Sequence, residues 1–81
     1  MHLLVTGGAG FIGSNFILHL LKNESNIKIT NLDSLTYAGN IGNLESVSKD
    51  KRYTFIKGDI TNSQDIELAM QGVDAVVHFA A

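Results

Sequence analysis

Eighty-one residues allow one small domain at most, and a chain of this size buries only a little over ~60% of the surface it exposes when unfolded. A formal net charge of −2 with a single arginine, Arg52, leaves no nucleic-acid footprint, and the lack of cysteine excludes disulfides and thiolate-metal sites. No apolar run approaches the ~20 residues needed to cross a membrane, and Met1-His2-Leu3-Leu4-Val5 lacks the basic start of a signal peptide, so a soluble, cytoplasmic chain is expected.

The first predicted element is a buried strand, Leu3-Leu4-Val5, which feeds directly into Thr6-Gly7-Gly8-Ala9-Gly10-Phe11-Ile12-Gly13. Strand, glycine-rich turn and helix start in that order describe a phosphate-approach loop. Glycine adopts positive φ without penalty and leaves no Cβ between backbone and ligand. A helix N-terminus offers unpaired N–H groups and the positive end of a dipole to a pyrophosphate. The spacing reads in two registers. Gly8-x-Gly10-x-x-Gly13 satisfies the G-x-G-x-x-G dinucleotide fingerprint, whereas Gly7-x-x-Gly10-x-x-Gly13 begins where the strand ends and is preferred for that reason. Both share Gly10 and Gly13.

The helical pattern runs to about Asn23. Ile12, Phe16, Leu20 and Ile17 fan across one side, with Gly13 in the middle of that apolar face, and Ser14, Asn15, His19 and Lys22 occupy the polar side. A missing side chain at Gly13 lets the helix approach the sheet closely. Asn23-Glu24-Ser25-Asn26 is a polar break whose N-x-S match is read as chance, and His19 is read as a solvated side chain. Ile27 to Leu32 alternates apolar and polar residues, as a second strand does. Asp33 stands at its end, twenty residues beyond Gly13, where a dinucleotide fold uses a carboxylate to grip the adenosine ribose. That carboxylate repels a 2′-phosphate and no arginine lies nearby, which favours NAD over NADP.

Ser34 to Asn40 reads as loop, and Ile41, Leu44 and Val47 at intervals of three suggest a short helix capped near Asn40. Tyr53 to Lys57 is a third strand ending at Gly58-Asp59-Ile60. A further helix is expected from caps among Thr61, Asn62 and Ser63 to about Gln71, with Thr61-x-x-Gln64 as a capping box and Gly72 as its C′ residue. Ala75 to Ala81 closes the chain as a fourth strand, apolar enough to be buried on both faces, with His78 packed and its ring nitrogen satisfied. The alternation predicts an α/β fold with a parallel sheet, and if it is doubly wound, as the glycine loop suggests, its four N-terminal strands lie in the order 3-2-1-4. Ligands then bind beyond the carboxyl ends of the strands, where the Gly7–Gly13 loop, Asp33, Asp59-Ile60 and Phe79-Ala80-Ala81 converge.

Tyr53-x-x-x-Lys57 matches a known catalytic signature, but that pair works on a helix. On a strand the two Cα atoms lie about 13 Å apart, so the match is rejected.

Val5 through Phe16 resembles the opening of the extended short-chain dehydrogenases/reductases that act on nucleotide sugars. Within them the Leu35-Thr36-Tyr37-Ala38-Gly39-Asn40 run resembles the dTDP-glucose 4,6-dehydratases more than the related 4-epimerases. Lys57-Gly58-Asp59-Ile60 and Val77-His78-Phe79-Ala80-Ala81 fit the same family, so the resemblance covers essentially the whole chain. It departs at Ser34, where the dehydratases often carry lysine, and this bears on one contact near the ribose. The resemblance implies a Rossmann-type domain whose cofactor is NAD. Phe11 and Ile12 would lie at the pyrophosphate, Asp33, Ser34, Leu35 and Thr36 at the adenosine ribose, and Asp59 at the adenine amino group with the Ile60 backbone beside it. Phe79, Ala80 and Ala81 would lie along the path to the nicotinamide.

The resemblance further implies a nucleotide-sugar substrate, oxidised at C4, dehydrated across C5–C6 and reduced at C6, by an intact enzyme that is a homodimer. Its catalytic Tyr-x-x-x-Lys helix, threonine and Asp-Glu pair would lie beyond Ala81. The 81 residues are therefore expected to be the N-terminal part of an NAD-binding domain, inactive alone and prone to self-association along the fourth strand. A 4-epimerase or UDP-glucuronate-processing enzyme shares the loop and Asp33, and a non-catalytic dinucleotide-binding module is the alternative of another class.

Overall fold

The computed structural model describes residues 1–7, 10–34 and 41–79. Its elements run β1 (His2–Thr6), α1 (Phe11–Asn23), β2 (Lys28–Asp33), a 3-10 helix (Ile41–Val47), β3 (Tyr53–Lys57), α2 (Ser63–Ala69) and β4 (Ala75–His78). The four strands form one parallel sheet in the order β3-β2-β1-β4, the order expected of the doubly wound fold that the glycine loop suggests. Register pairs Thr6 with Leu32 and with His78, and Asp33 with Lys57, so the carboxyl ends of the strands lie along one rim.

Each face of the sheet has its own core. Leu3 and Val5 of β1 meet Ile17 and Leu21 of α1 on one side, together with Ile29, Leu44 and Tyr53. Leu4 and Leu32 meet Ala69 of α2 on the other, with Ile56, Ile60 and Ile66 packed around them. Because β1 and β2 are covered on both faces, β2 is buried from Ile29 through Asp33 although its sequence alternates apolar and polar residues. Its polar residues survive burial by pairing. Asn31 donates through Nδ2 to the Tyr53 hydroxyl at 3.2 Å, and Thr30 Oγ1 shares a 2.7 Å hydrogen bond with His2 Nε2.

The helices differ from expectation in detail. On α1 the buried residues are Gly13, Ser14, Ile17 and Leu21, so the face is rotated from the one predicted. Ile12 is exposed, and Ser14 is buried because its hydroxyl donates to the Phe11 carbonyl at 3.1 Å. The segment with period three forms a 3-10 helix, whose three residues per turn suit that spacing, and Leu44 in it is buried. Its expected cap, Asn40, lies outside the described residues.

On α2 the cap is Asn62, whose side chain accepts from the Gln64 and Asp65 N–H groups. The predicted capping box does not form, because Thr61 spends its hydroxyl on Asp59. The helix stops at Ala69 with Met70 as C-cap, two residues short of the predicted end, and Gly72 takes φ +73° in the turn that follows.

β4 also differs. It ends at His78 and forms the sheet edge, with Ala75 and Val77 half-buried and Val76 and His78 exposed, rather than being buried on both faces. Ala80 and Ala81 lie outside the described residues.

Candidate functional site

The rim begins where β1 ends. Gly7 has φ +73°, a left-handed conformation that side chains resist, and its N–H donates to the Leu32 carbonyl at 3.1 Å. Gly10 is the N-cap of α1, and its N–H donates to the Gly7 carbonyl at 3.3 Å. Being glycine, this cap has no side chain to offer, and the first turn of α1 holds no acidic residue. The first intrahelical bond runs from the Ser14 N–H to the Gly10 carbonyl at 2.8 Å. The leading N–H groups of a 13-residue helix thus meet no side-chain cap and no acidic residue of their own first turn. That arrangement fits a pyrophosphate. Phe11 and Ile12, 80% and 69% exposed, are large apolar side chains standing beside it, and Gly13 is buried one turn ahead of Ile17.

Asp33, one strand away, closes β2 and is 3% exposed, on the α1 face of the sheet together with Asn31. Its carbonyl accepts the Gly58 N–H at 3.2 Å, which joins the β2 end to the β3 end. Ser34 follows half-buried, and Leu35 and Thr36 lie outside the described residues.

The β3 end turns sharply. Asp59 Oδ1 accepts both the N–H and the hydroxyl of Thr61, at 2.8 and 2.7 Å, and these bonds hold its carboxyl below the usual range. Ile60 is half-buried against the Leu4–Leu32–Ala69 core.

Phe79 follows β4. Its N–H donates to the Thr6 carbonyl at 2.8 Å, and its ring packs on Phe16 with centroids 5.3 Å apart, so the side chain belongs to the helix–sheet contact while the backbone lies on the rim. Ala80 and Ala81 are not described. His78, exposed on the sheet edge, has its ring nitrogen satisfied all the same, since Nδ1 shares a 2.5 Å hydrogen bond with buried Thr6 Oγ1. The two bonds to Thr6 tie β4 to the residue that precedes the Gly7 turn.

Tyr53 and Lys57 lie on β3 as predicted from geometry, with Tyr53 buried and Lys57 exposed. Burial pushes the Tyr53 phenol above its usual range, the Asn31 hydrogen bond partly offsets this, and the charge of Asp33 adds to the rise. Tyr53 is a core residue. An apolar groove of about 450 Å³ opens at the opposite, amino end of the strands, lined by Met1, Leu3, Phe16, Leu20 and Ile27, and none of the rim residues reaches it. Among the described residues, no cluster of acidic and histidine side chains is arranged to hold a metal ion, and no helix is long and apolar enough to cross a membrane.

Two rim residues escape a motif-based reading. Gly58 leaves room that a Cβ would fill, within 2.9 Å of Asp65 and of Leu32, and Asp65 Oδ2 accepts the Asp59 N–H at 2.9 Å. The only signal in the sequence is a glycine directly before the strand-end aspartate.

A family model described as GDP-mannose 4,6 dehydratase matches residues 4–81. A dTDP-glucose 4,6-dehydratase of Streptomyces niveus is 45% identical over all of this chain, which covers 25% of it. Among solved structures, a dTDP-glucose 4,6-dehydratase of Bacillus anthracis in complex with NAD superposes with a TM-score of 0.96 at 46% identity, covering all of this chain and 27% of that one. A UDP-Glc/GlcNAc 4-epimerase of Campylobacter jejuni gives a TM-score of 0.82 at 32% identity, covering 99% of this chain and 24% of that one. The chain therefore spans about a quarter of the length of the relatives it matches.

Proposed function

The chain belongs to the GDP-mannose 4,6 dehydratase family, and on that premise we propose that it is the NAD-binding N-terminal portion of a dTDP-glucose 4,6-dehydratase-like enzyme. The intact enzyme would act on a nucleotide sugar by internal oxidation, water elimination and reduction. The observation that carries this reading is the uncapped start of α1 behind the Gly7 turn, one strand away from the carboxylate of Asp33. A dinucleotide needs both features: N–H groups for a doubly charged pyrophosphate and an acceptor for ribose hydroxyls.

Bound at this rim, NAD would supply a reversible hydride acceptor for a sugar carbinol carbon. The chain's own residues bind and orient. The Gly7–Gly10–Gly13 turn and the N–H groups at Phe11, Ile12 and Gly13 would take the pyrophosphate charge. Asp33, followed by Ser34, Leu35 and Thr36, would take the ribose hydroxyls. Asp59 would accept from the adenine amino group with its second oxygen, since Oδ1 is occupied by Thr61 and Oδ2 has no partner among the described residues. The Ile60 backbone would lie beside it. Phe79, Ala80 and Ala81 would line the way to the nicotinamide, and no residue described here would act as the acid or base of the chemistry.

The greater likeness to the dehydratases than to the epimerase, in sequence and in superposition, supports this reading over a nucleotide-sugar 4-epimerase. Incubation of the intact gene product with dTDP-glucose and with UDP-glucose tests it. A 4-keto-6-deoxy product from dTDP-glucose is expected. Inversion at C4 of either sugar, or no turnover with bound NAD, would overturn the dehydratase assignment in favour of an epimerase or a non-catalytic module.

A further inference from the structure

We infer that Asp65, on α2, is a positioning residue for the adenine end of the site, fixing the turn from which Asp59 is presented. The inference rests on the reading of Asp59 as the adenine acceptor. Three groups of Asp59 are tied within the protein. Its N–H donates to Asp65 Oδ2 at 2.9 Å, its carbonyl accepts the Asn62 N–H at 3.0 Å, and its Oδ1 accepts from Thr61. Of these ties the Thr61 and Asn62 bonds are local, closing over two and three residues, as strand-end aspartates do in any Asx turn. The Asp65 bond is different, because it reaches back from the helix to the residue that leaves the strand.

Asp65 is not needed where a first-turn acid would ordinarily serve. The N–H groups of Gln64 and Asp65 are already taken by Asn62 Oδ1, at 2.9 and 3.1 Å. Its carboxylate is thereby left to turn back toward the strand, and the space for it exists because residue 58 is glycine. A Cβ on Gly58 would stand 2.9 Å from Asp65 Cγ and Oδ2 and 2.9 Å from Leu32 Cδ1. Leu32 is fully buried and cannot give way, so the carboxylate would have to leave. Gly58 and Asp65 therefore form one device: the missing side chain admits the carboxylate, and the carboxylate holds the Asp59 peptide.

The test compares, on the intact protein, the affinity for NAD with that for nicotinamide hypoxanthine dinucleotide, in which a carbonyl replaces the adenine amino group. A charge-assisted hydrogen bond to that amino group should make the wild type favour NAD by about tenfold or more. Asp65→Ala should abolish most of this preference. Asp65→Asn, which keeps an acceptor oxygen but loses the charge beside the helix start, should retain it even where melting temperature falls. Gly58→Ala should reproduce the loss by expelling the carboxylate. If Asp65→Ala weakens both dinucleotides equally, or leaves the preference intact, Asp65 is only structural and the inference fails while NAD binding stands. A wild type that binds both alike overturns the Asp59–adenine contact and this inference with it, and one that binds neither overturns the NAD reading itself.

Discussion

The two ends of the rim are built from different materials. On the proposed reading, the binding groups at the β1–α1 end are backbone N–H groups, exposed by glycines and by a helix start without a side-chain cap. At the β2–β3 end they are carboxylates, Asp33 and Asp59, each set at a strand terminus. A backbone site recognises charge and offers little to tell one dinucleotide from another, because every such cofactor carries the same pyrophosphate. A carboxylate recognises a particular hydroxyl or amino group and repels a phosphate placed against it. Affinity common to all dinucleotides should therefore reside at the first end, and choice between them at the second.

The largest break in this comparison is expected at Gly13. It is buried on α1 in line with Ile17, so Gly13→Val forces a side chain between helix and sheet and should cost ~1–3 kcal/mol of stability. Thermal melting reads that loss, and NAD and NADP affinities should fall together. A variant that loses affinity at the wild-type melting temperature would show that Gly13 serves ligand approach and not packing.

Asp33→Ala is the complementary change and should be smaller. We expect NAD to weaken by roughly tenfold, as when one charge-assisted hydrogen bond is lost, while the preference over NADP narrows. Calorimetric titration with both cofactors measures it, and an unchanged preference would make Asp33 a strand-end residue without a role in choice.

The smallest effect lies away from the rim, at the amino ends of the strands. Arg52, in the turn before β3, donates to the Leu21 and Glu24 carbonyls at the end of α1, at 2.9 and 2.7 Å, and Asp50 holds its guanidinium through a 2.8 Å ion pair. The side-chain and backbone hydrogen bonds from Arg52 lower the Asp50 carboxyl from 3.8 to about 2. A carboxyl whose folded value is depressed stabilises the fold above its unfolded value and loses that contribution as pH falls through the folded one. Melting temperature should therefore decline between about pH 4 and pH 2, and the decline should be shallower in Asp50→Asn. Both groups are largely solvated, so the difference should also shrink in high salt.

Much of this architecture is readable in the amino-acid sequence. The strands announced themselves through apolar runs, Tyr53–Lys57 even at its boundaries, and the order 3-2-1-4 followed from the glycine loop's doubly wound pattern. What escaped was set by neighbours. Asn31 and Thr30 look like outward positions until β2 is known to be central and Tyr53 and His2 to stand across from them. Ser14 looks like a wet-face residue until its hydroxyl is seen returning to the helix backbone. β4 is apolar enough for a covered strand, yet at the sheet edge Val76 is 49% exposed. The glycine turn after β1 and the strand-end position of Asp33 were legible because they are set locally. Thr6–His78 and Gly58–Asp65 were not, because each pair meets only through the fold.

Titration of the intact wild-type protein with NAD and with NADP tests the division between the two ends most directly. Asp33 with no arginine beside it in the sequence predicts NAD tighter by about tenfold or more, at moderate salt, the 2′-phosphate being repelled at close range. Equal or tighter binding of NADP would contradict it.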